Sequence, residues 1–239
     1  MSYAPNYESS QERDLFAIDA AADARAGFIR RTYAHLFIAV ASFACLTGYF
    51  LTSHILDGVM LNIVRNNQWM LVFGGFLVVS WVASWMAHSG ASPAIQYAGL
   101  ILYTVAEAVI FVPILMMAQA MTPGGDLIMQ AGALTLLLFG GLTAVVMLTG
   151  ADFSFLRTGL WVAGIAAFGL IIVGAITGFS LGLWFTGGMI ILMCGYILYD
   201  TSNVLHHYRT DQHVAAALAL FASIATLFWY VLRLFMNRD

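Results

Sequence analysis

Seven stretches of this chain, 33–53, 69–87, 94–119, 127–149, 158–178, 181–199 and 214–236, are apolar almost without interruption. Each has about the ~20 residues that a helix needs to cross the hydrocarbon core of a bilayer. Lipid offers a backbone N–H or C=O no water, so a spanning segment must satisfy these groups within itself, as a helix does. A membrane barrel would show short alternating segments, and the sequence has none. The pattern predicts an all-α membrane protein of seven transmembrane helices. Charged residues are only 9% of the chain and hydrophobic residues 62%, against about 25% and about 45–50% in soluble domains. The predicted organisation is a polar N-terminal tail over 1–32 and one transmembrane domain over 33–239, with short loops marked by Pro93, Pro123-Gly124-Gly125 and 177–180.

Composition also excludes chemistry. All nine basic residues are arginine, which rules out a retinal Schiff base, a P-loop and any lysine nucleophile. A net charge of -3 gives no nucleic-acid surface. Cys45 and Cys194 lie inside apolar runs, where a free thiol packs as a small hydrophobe. Gly178-Phe179-Ser180-Leu181-Gly182 fits G-x-S-x-G, but that elbow belongs to a strand-to-helix turn, and here it joins two membrane helices. His206, His207 and His213 gather beside Asp211 without a zinc-ligand spacing; a solvated loop is the plain reading, and a pH-sensing role stays open. No nucleophile, base and orienting group share a helix face, so no catalytic residue, cofactor site or metal site is expected and the protein reads as a non-enzyme.

Orientation follows from arginine in short loops. Arg13, Arg25, Arg30 and Arg31 fall in the tail, Arg157 and Arg209 in the fourth and sixth loops, and Arg65 and Arg238 on the opposite side. The N-terminus is therefore expected in the cytoplasm and the C-terminus outside. In the tail, Leu15, Ile18, Ala22 and Ile29 have rough helical spacing, which leaves open an interfacial helix or a disordered segment.

Polar residues within apolar runs are the candidate site, because they are costly at membrane depth. Asp200 closes the sixth run and precedes a polar hinge, Thr201-Ser202-Asn203. On a helix Asp200, Asn203 and His207 share one face, a polar track towards the cytoplasm; the plainer reading is a carboxylate that anchors a helix end. On the seventh run Ser223, Thr226, Tyr230 and Arg233 share a face while Ala215, Ala219, Ala222 and Ala225 keep the rest small, which suits a central helix. Glu107 is the deepest charge, preceded by Tyr103 and Thr104 and followed by Pro113; it must be neutral, paired or wet, in an ion path or in a structural hydrogen bond. Gly164, Gly169, Gly174 and Gly178 on the fifth helix are expected to serve close packing.

Four segments together resemble the Bax inhibitor-1 family: Tyr199-Asp200-Thr201-Ser202-Asn203-Val204, Asp152-Phe153-Ser154-Phe155-Leu156, Val112-Pro113-Ile114-Leu115, and Leu220-Phe221-Ala222-Ser223-Ile224 running to Leu232-Arg233-Leu234. The resemblance implies a seventh helix enclosed by the other six. It implies a pH-sensitive calcium leak in which two aspartates on the last two helices share a proton; Asp200 matches the first, and the second position holds Ser223. That serine and the closing Asn237-Arg238-Asp239 look like the bacterial YccA-like branch, tied to restraint of a membrane-bound AAA+ protease of the FtsH type. The expected function is thus an inner-membrane modulator of that quality-control protease, the alternative being a leak for Ca²⁺ or H⁺ with Asp200 at the cytoplasmic end of the pore. Asp200, Ser223, Glu107, Asn203 and His207 are the expected ion-path or pH-sensing residues, and the lipid bilayer is the expected environment.

Overall fold

The computed structural model describes residues 16–66, 68–90, 92–122, 124–179 and 181–237. Residues 1–15, Pro123, Ser180 and Arg238-Asp239, which enter the sequence reading, lie outside these. The helices are α1 (Ala22–Ser53), α2 (Asp57–Arg65), α3 (Trp69–His88), α4 (Pro93–Met121), α5 (Asp126–Thr149), α6 (Leu156–Thr177), α7 (Gly182–His206) and α8 (His213–Met236). All except α2 are long and apolar enough to cross a membrane. Among the described residues, β pairing amounts to one isolated bridge between Phe16 and Arg209.

Local chemistry sets the helix ends. Ser92 caps α4, accepting from the Ile95 N–H ahead of Pro93 in the first turn. Gly150 and Gly178 end α5 and α6 with positive φ, the left-handed stop that residues with a Cβ resist. Inside the bundle, the hydroxyls of Thr47, Thr104, Thr135 and Thr226 each donate to the carbonyl four residues back, at 2.7–2.8 Å. A threonine that bonds its own helix carries no unpaired donor into the hydrocarbon.

The centre is α8. Of its most apolar window 72% is buried, against 6% for α6. Ala215, Ala216 and Ala217 are fully buried and let neighbouring backbones close in. The α8 helix packs against α1, α3, α4, α5 and α7, and α6 completes the enclosure from beyond α7. An aromatic layer binds α1, α4 and α8. Phe43 meets Phe111 edge-on at 5.0 Å, and Phe111 stacks on Phe228 at 5.6 Å.

Four local expectations change. The first helix begins at Ala22 rather than at 33; no proline interrupts 22–32, and Phe28 and Thr32 are buried, so this part of the tail continues the spanning helix rather than forming a separate one. The first loop contains α2, whose Met60 and Ile63 pack on Val112; nine residues are too few to register as a span. The polar hinge Thr201-Ser202-Asn203 is helical, because α7 runs on to His206, and three residues with hydroxyl or amide side chains do not stop a helix where no Gly or Pro stands among or just after them. The glycines of α6 do not share one role. A Cβ on Gly164 would lie 3.0 Å from the Tyr196 hydroxyl, Gly169 faces open space, and Gly178 is the C-cap.

The closest approach at any glycine is between α3 and α4, where a Cβ on Gly99 would lie 2.6 Å from the Ala83 carbonyl oxygen and 2.8 Å from the Ala87 nitrogen. Backbone cannot yield as a side chain does. Gly99→Ala is expected to destabilise the protein by about 1–3 kcal/mol, the usual cost of overpacking, whereas Gly169→Ala should leave it unchanged. Thermal unfolding in detergent, read by circular dichroism, compares the two.

Candidate functional site at the end of α7

Alternating crossings bring the start of α1, the ends of α3, α5 and α7, and the starts of α4, α6 and α8 to one face of the bundle. Near that face α7 and α8 form a hairpin, and the Ser223 hydroxyl on α8 donates to Asp200 Oδ2 on α7 at 2.6 Å. That is the length of a hydrogen bond to a carboxylate. Ser223 is buried at 7% exposure, so Asp200 is its substitute for water, while Asp200 itself is half-buried.

The next residues of α7 face elsewhere. Thr201 is fully buried, and its hydroxyl has no partner. The Tyr33 hydroxyl of α1 faces both Thr201 and Thr143 of α5, and none of the three closes a hydrogen bond. Ser202 anchors the α5–α6 loop. Its hydroxyl donates to Asp152 Oδ1 at 3.2 Å and accepts from the Phe153 N–H at 2.9 Å. Asp152 Oδ1 also accepts from the Ser154 N–H at 2.8 Å. This backbone donor, with Ser202 and the nearby His207, holds the Asp152 carboxyl below the ordinary aspartate range.

The expected track is thereby divided. Asp200 and Ser223 meet; His207 lies just past the last turn of α7, beside Asp152 and with its ring 6.1 Å from that of His206. Asn203 uses its carbonyl to cap the helix, accepting from the N–H groups of His207 and Tyr208 at 2.8 and 2.9 Å. Glu107 lies on α4, 4% exposed, facing Tyr103 one turn before it. His213 is not with His206 and His207: its ring lies 5.1 Å from His35 of α1, and its Nε2 is 3.4 Å from the Tyr97 hydroxyl of α4. Asp152 and Ser202 carry real structure that the sequence reading passed over. Their signal was the Asp-x-Ser step of the loop, a short acid able to bond the backbone two residues on.

The α7–α8 loop completes the site. Burial, then the charges of Asp200 and Tyr199, holds the Tyr208 hydroxyl well above the usual tyrosine range, so it stays neutral. The Tyr208 carbonyl accepts from the Ala17 N–H at 2.8 Å, next to the Phe16–Arg209 bridge. The segment before α1 is thus tied to the loop that follows Asp200.

Comparison with known proteins now identifies the chain. The family model described as "Inhibitor of apoptosis-promoting Bax1" matches residues 25–239. This protein belongs to the Bax inhibitor-1 family. It is 26% identical to Bax inhibitor 1 of Schizosaccharomyces pombe over 231 residues, 90% of this chain and 78% of the relative. It is 33% identical to a BI1-like protein of Arabidopsis thaliana over 132 residues, and 32% identical to an uncharacterized protein of Pseudomonas aeruginosa over 126 residues. These two matches cover 50% and 52% of this chain, but only 48% and 55% of the relatives, so the chain spans about half of their lengths. All four segments that carried the resemblance fall inside the matched range. Within this Bax inhibitor-1 family member, two of them, the Asp152 loop and the Asp200 segment, are joined through Ser202.

A carboxyl whose pKa is lower in the folded than in the unfolded protein stabilises the fold above its unfolded value, and that help is lost as pH falls through the folded value. For Asp152 the unfolded value is about 3.9. The thermal midpoint of the parent should exceed that of Asp152→Asn by a constant margin above about pH 5, and the margin should shrink as pH falls below the unfolded value and vanish once the folded carboxyl is protonated. Paired melting curves across this range check it.

Proposed function

We propose that this Bax inhibitor-1 family member is a pH-dependent cation leak whose Asp200–Ser223 hydrogen bond ties α7 to α8 in a closed state. The 2.6 Å contact between these side chains carries the reading. It joins an acid in a spanning helix to the helix at the centre of the bundle, so a change in the charge of Asp200 changes how the two helices are held. One carboxylate and one hydroxyl are far short of the 6–8 oxygen ligands of a Ca²⁺ storage site. Weak coordination suits passage, which requires that an ion leave as readily as it enters. The permeant ion is H⁺ or Ca²⁺, and Asn203, His207 and Glu107, which lie apart from the Asp200–Ser223 pair, are assigned pH-sensing roles secondary to it.

Fluorescent-indicator uptake into liposomes at matched protein density tests this between pH 5 and 8. Ser223→Asp restores a carboxylate pair, and two carboxylates in contact titrate as a coupled unit. Its flux should depend more steeply on pH than that of the parent, and adding Asp200→Asn should abolish the gain. A folded Ser223→Asp variant with the parent profile would reduce Asp200 to a helix-end anchor.

A second reading is a modulator of a membrane-bound AAA+ protease of the FtsH type in a bacterial inner membrane, with the N-terminus cytoplasmic and the C-terminus external. The supporting observation is the Ala17–Tyr208 hydrogen bond, which couples the segment next to the tail to the loop after Asp200. Deletion of residues 2–15 should preserve insertion and the orientation reported by terminal fusions, yet change the protein's turnover by the protease. Unaltered turnover of this protein and of the protease's other membrane substrates would count against this reading.

A further inference from the structure

On the side of α8 away from α1, a cleft of 330 Å³ opens between α6 and α7, within the usual range of about 300–1,000 Å³ for ligand sites. Gly164 and Ala167 form one wall, Met189 and Met193 the other, and Ser223 and Thr226 of α8 the floor. The rim is continuous with the most lipid-exposed surface of the bundle: Trp161 and Ile165 on α6 are each 63% exposed, and Phe168, which lines the cleft, is 48% exposed.

The polar groups of the lining decide what fits. The Tyr196 hydroxyl donates to the Leu160 carbonyl at 3.0 Å, Ser223 to Asp200 at 2.6 Å, and Thr226 to the Ala222 carbonyl at 2.8 Å. Each hydroxyl proton is already committed within the protein. An anion, a headgroup phosphate or the carbonyls of an extended peptide would enter without a donor to meet them, at the cost of an unpaired polar group. Hydrocarbon carries no such cost, and two methionines supply a wall that adapts to a flexible chain. We propose that the cleft holds one acyl chain of a bilayer phospholipid, its headgroup remaining at the membrane surface. The chain lies against the exposed side of Ser223 and keeps lateral water from the Asp200–Ser223 pair. The proposal does not depend on ion conduction, since it rests on the walls of the cleft alone.

Photolabelling of the full-length protein in phosphatidylcholine nanodiscs tests it, using a phosphatidylcholine with a diazirine in its acyl chain and adducts mapped by mass spectrometry. Cleft residues Met189 and Met193 should be labelled in preference to the bilayer-facing Trp161 and Ile165. Ala167→Phe, which fills the cleft, should lose the cleft adducts and keep the outer ones. Equal labelling of both sets, or cleft labelling that survives in a folded Ala167→Phe protein, would overturn the proposal. Should that variant not fold, native mass spectrometry of the parent decides. Retention of one phospholipid through delipidation supports the site, whereas a protein stripped bare, a retained peptide or a dimer closed over the cleft refutes it.

Discussion

A helix enclosed on nearly every side cannot leave a polar side chain to the solvent, and α8 is such a helix. Whatever polar groups it carries must be answered by its own backbone or by a neighbour. Thr226 is answered by the backbone one turn back, and Ser223 by Asp200 of α7. The second solution has a wider consequence than the first. It fixes the rotation of α7 about its axis, because Asp200 must face inward, and this directs Ser202 towards the α5–α6 loop and Thr201 towards α1 and α5. Three successive residues thus turn one helix towards three others and a loop.

The same arrangement explains why α6 is the least committed span. Its partner is α7, and the hydroxyl–carbonyl contact from Tyr196 to Leu160 passes close to Gly164, where no side chain intervenes. Beyond that contact α6 faces outward with Trp161, Val162 and Ile165. An element with few internal obligations is free to tilt without disturbing the aromatic layer around Phe43, Phe111 and Phe228, which belongs to α1, α4 and α8.

Much of this was legible in the sequence, and the physical reason differs by feature. The seven spans were visible because a bilayer demands length and apolarity together, and no soluble fold imposes both. The central place of α8 was visible from its alanines and its single polar face. The start of α1 was misplaced because polarity marks where a chain leaves the hydrocarbon, not where its helix stops. The α2 helix has no such demand upon it and left no comparable signal. Contacts across fifty residues, such as Asp152 with Ser202, depend on how helices are arranged and cannot be read from either segment alone. His213 was grouped with its neighbours in sequence, whereas in the bundle it stands at the start of a new helix, where α1 and α4 supply its company. The facing of Ser223 and Asp200 was suggested by family resemblance, and only the geometry showed the two side chains in contact.

The hydrogen bond between Ala17 and Tyr208 joins the segment just before α1 to the last loop, and it bears on the order of assembly. A chain made at about 5–20 residues per second presents its N-terminal segment tens of seconds before the α7–α8 loop exists. During that interval α1 is in place while its leading segment has no dock. Closure of the bridge therefore marks a completed final hairpin, and a chain stalled or cut before it displays the backbone at Ala17 that a finished one keeps covered.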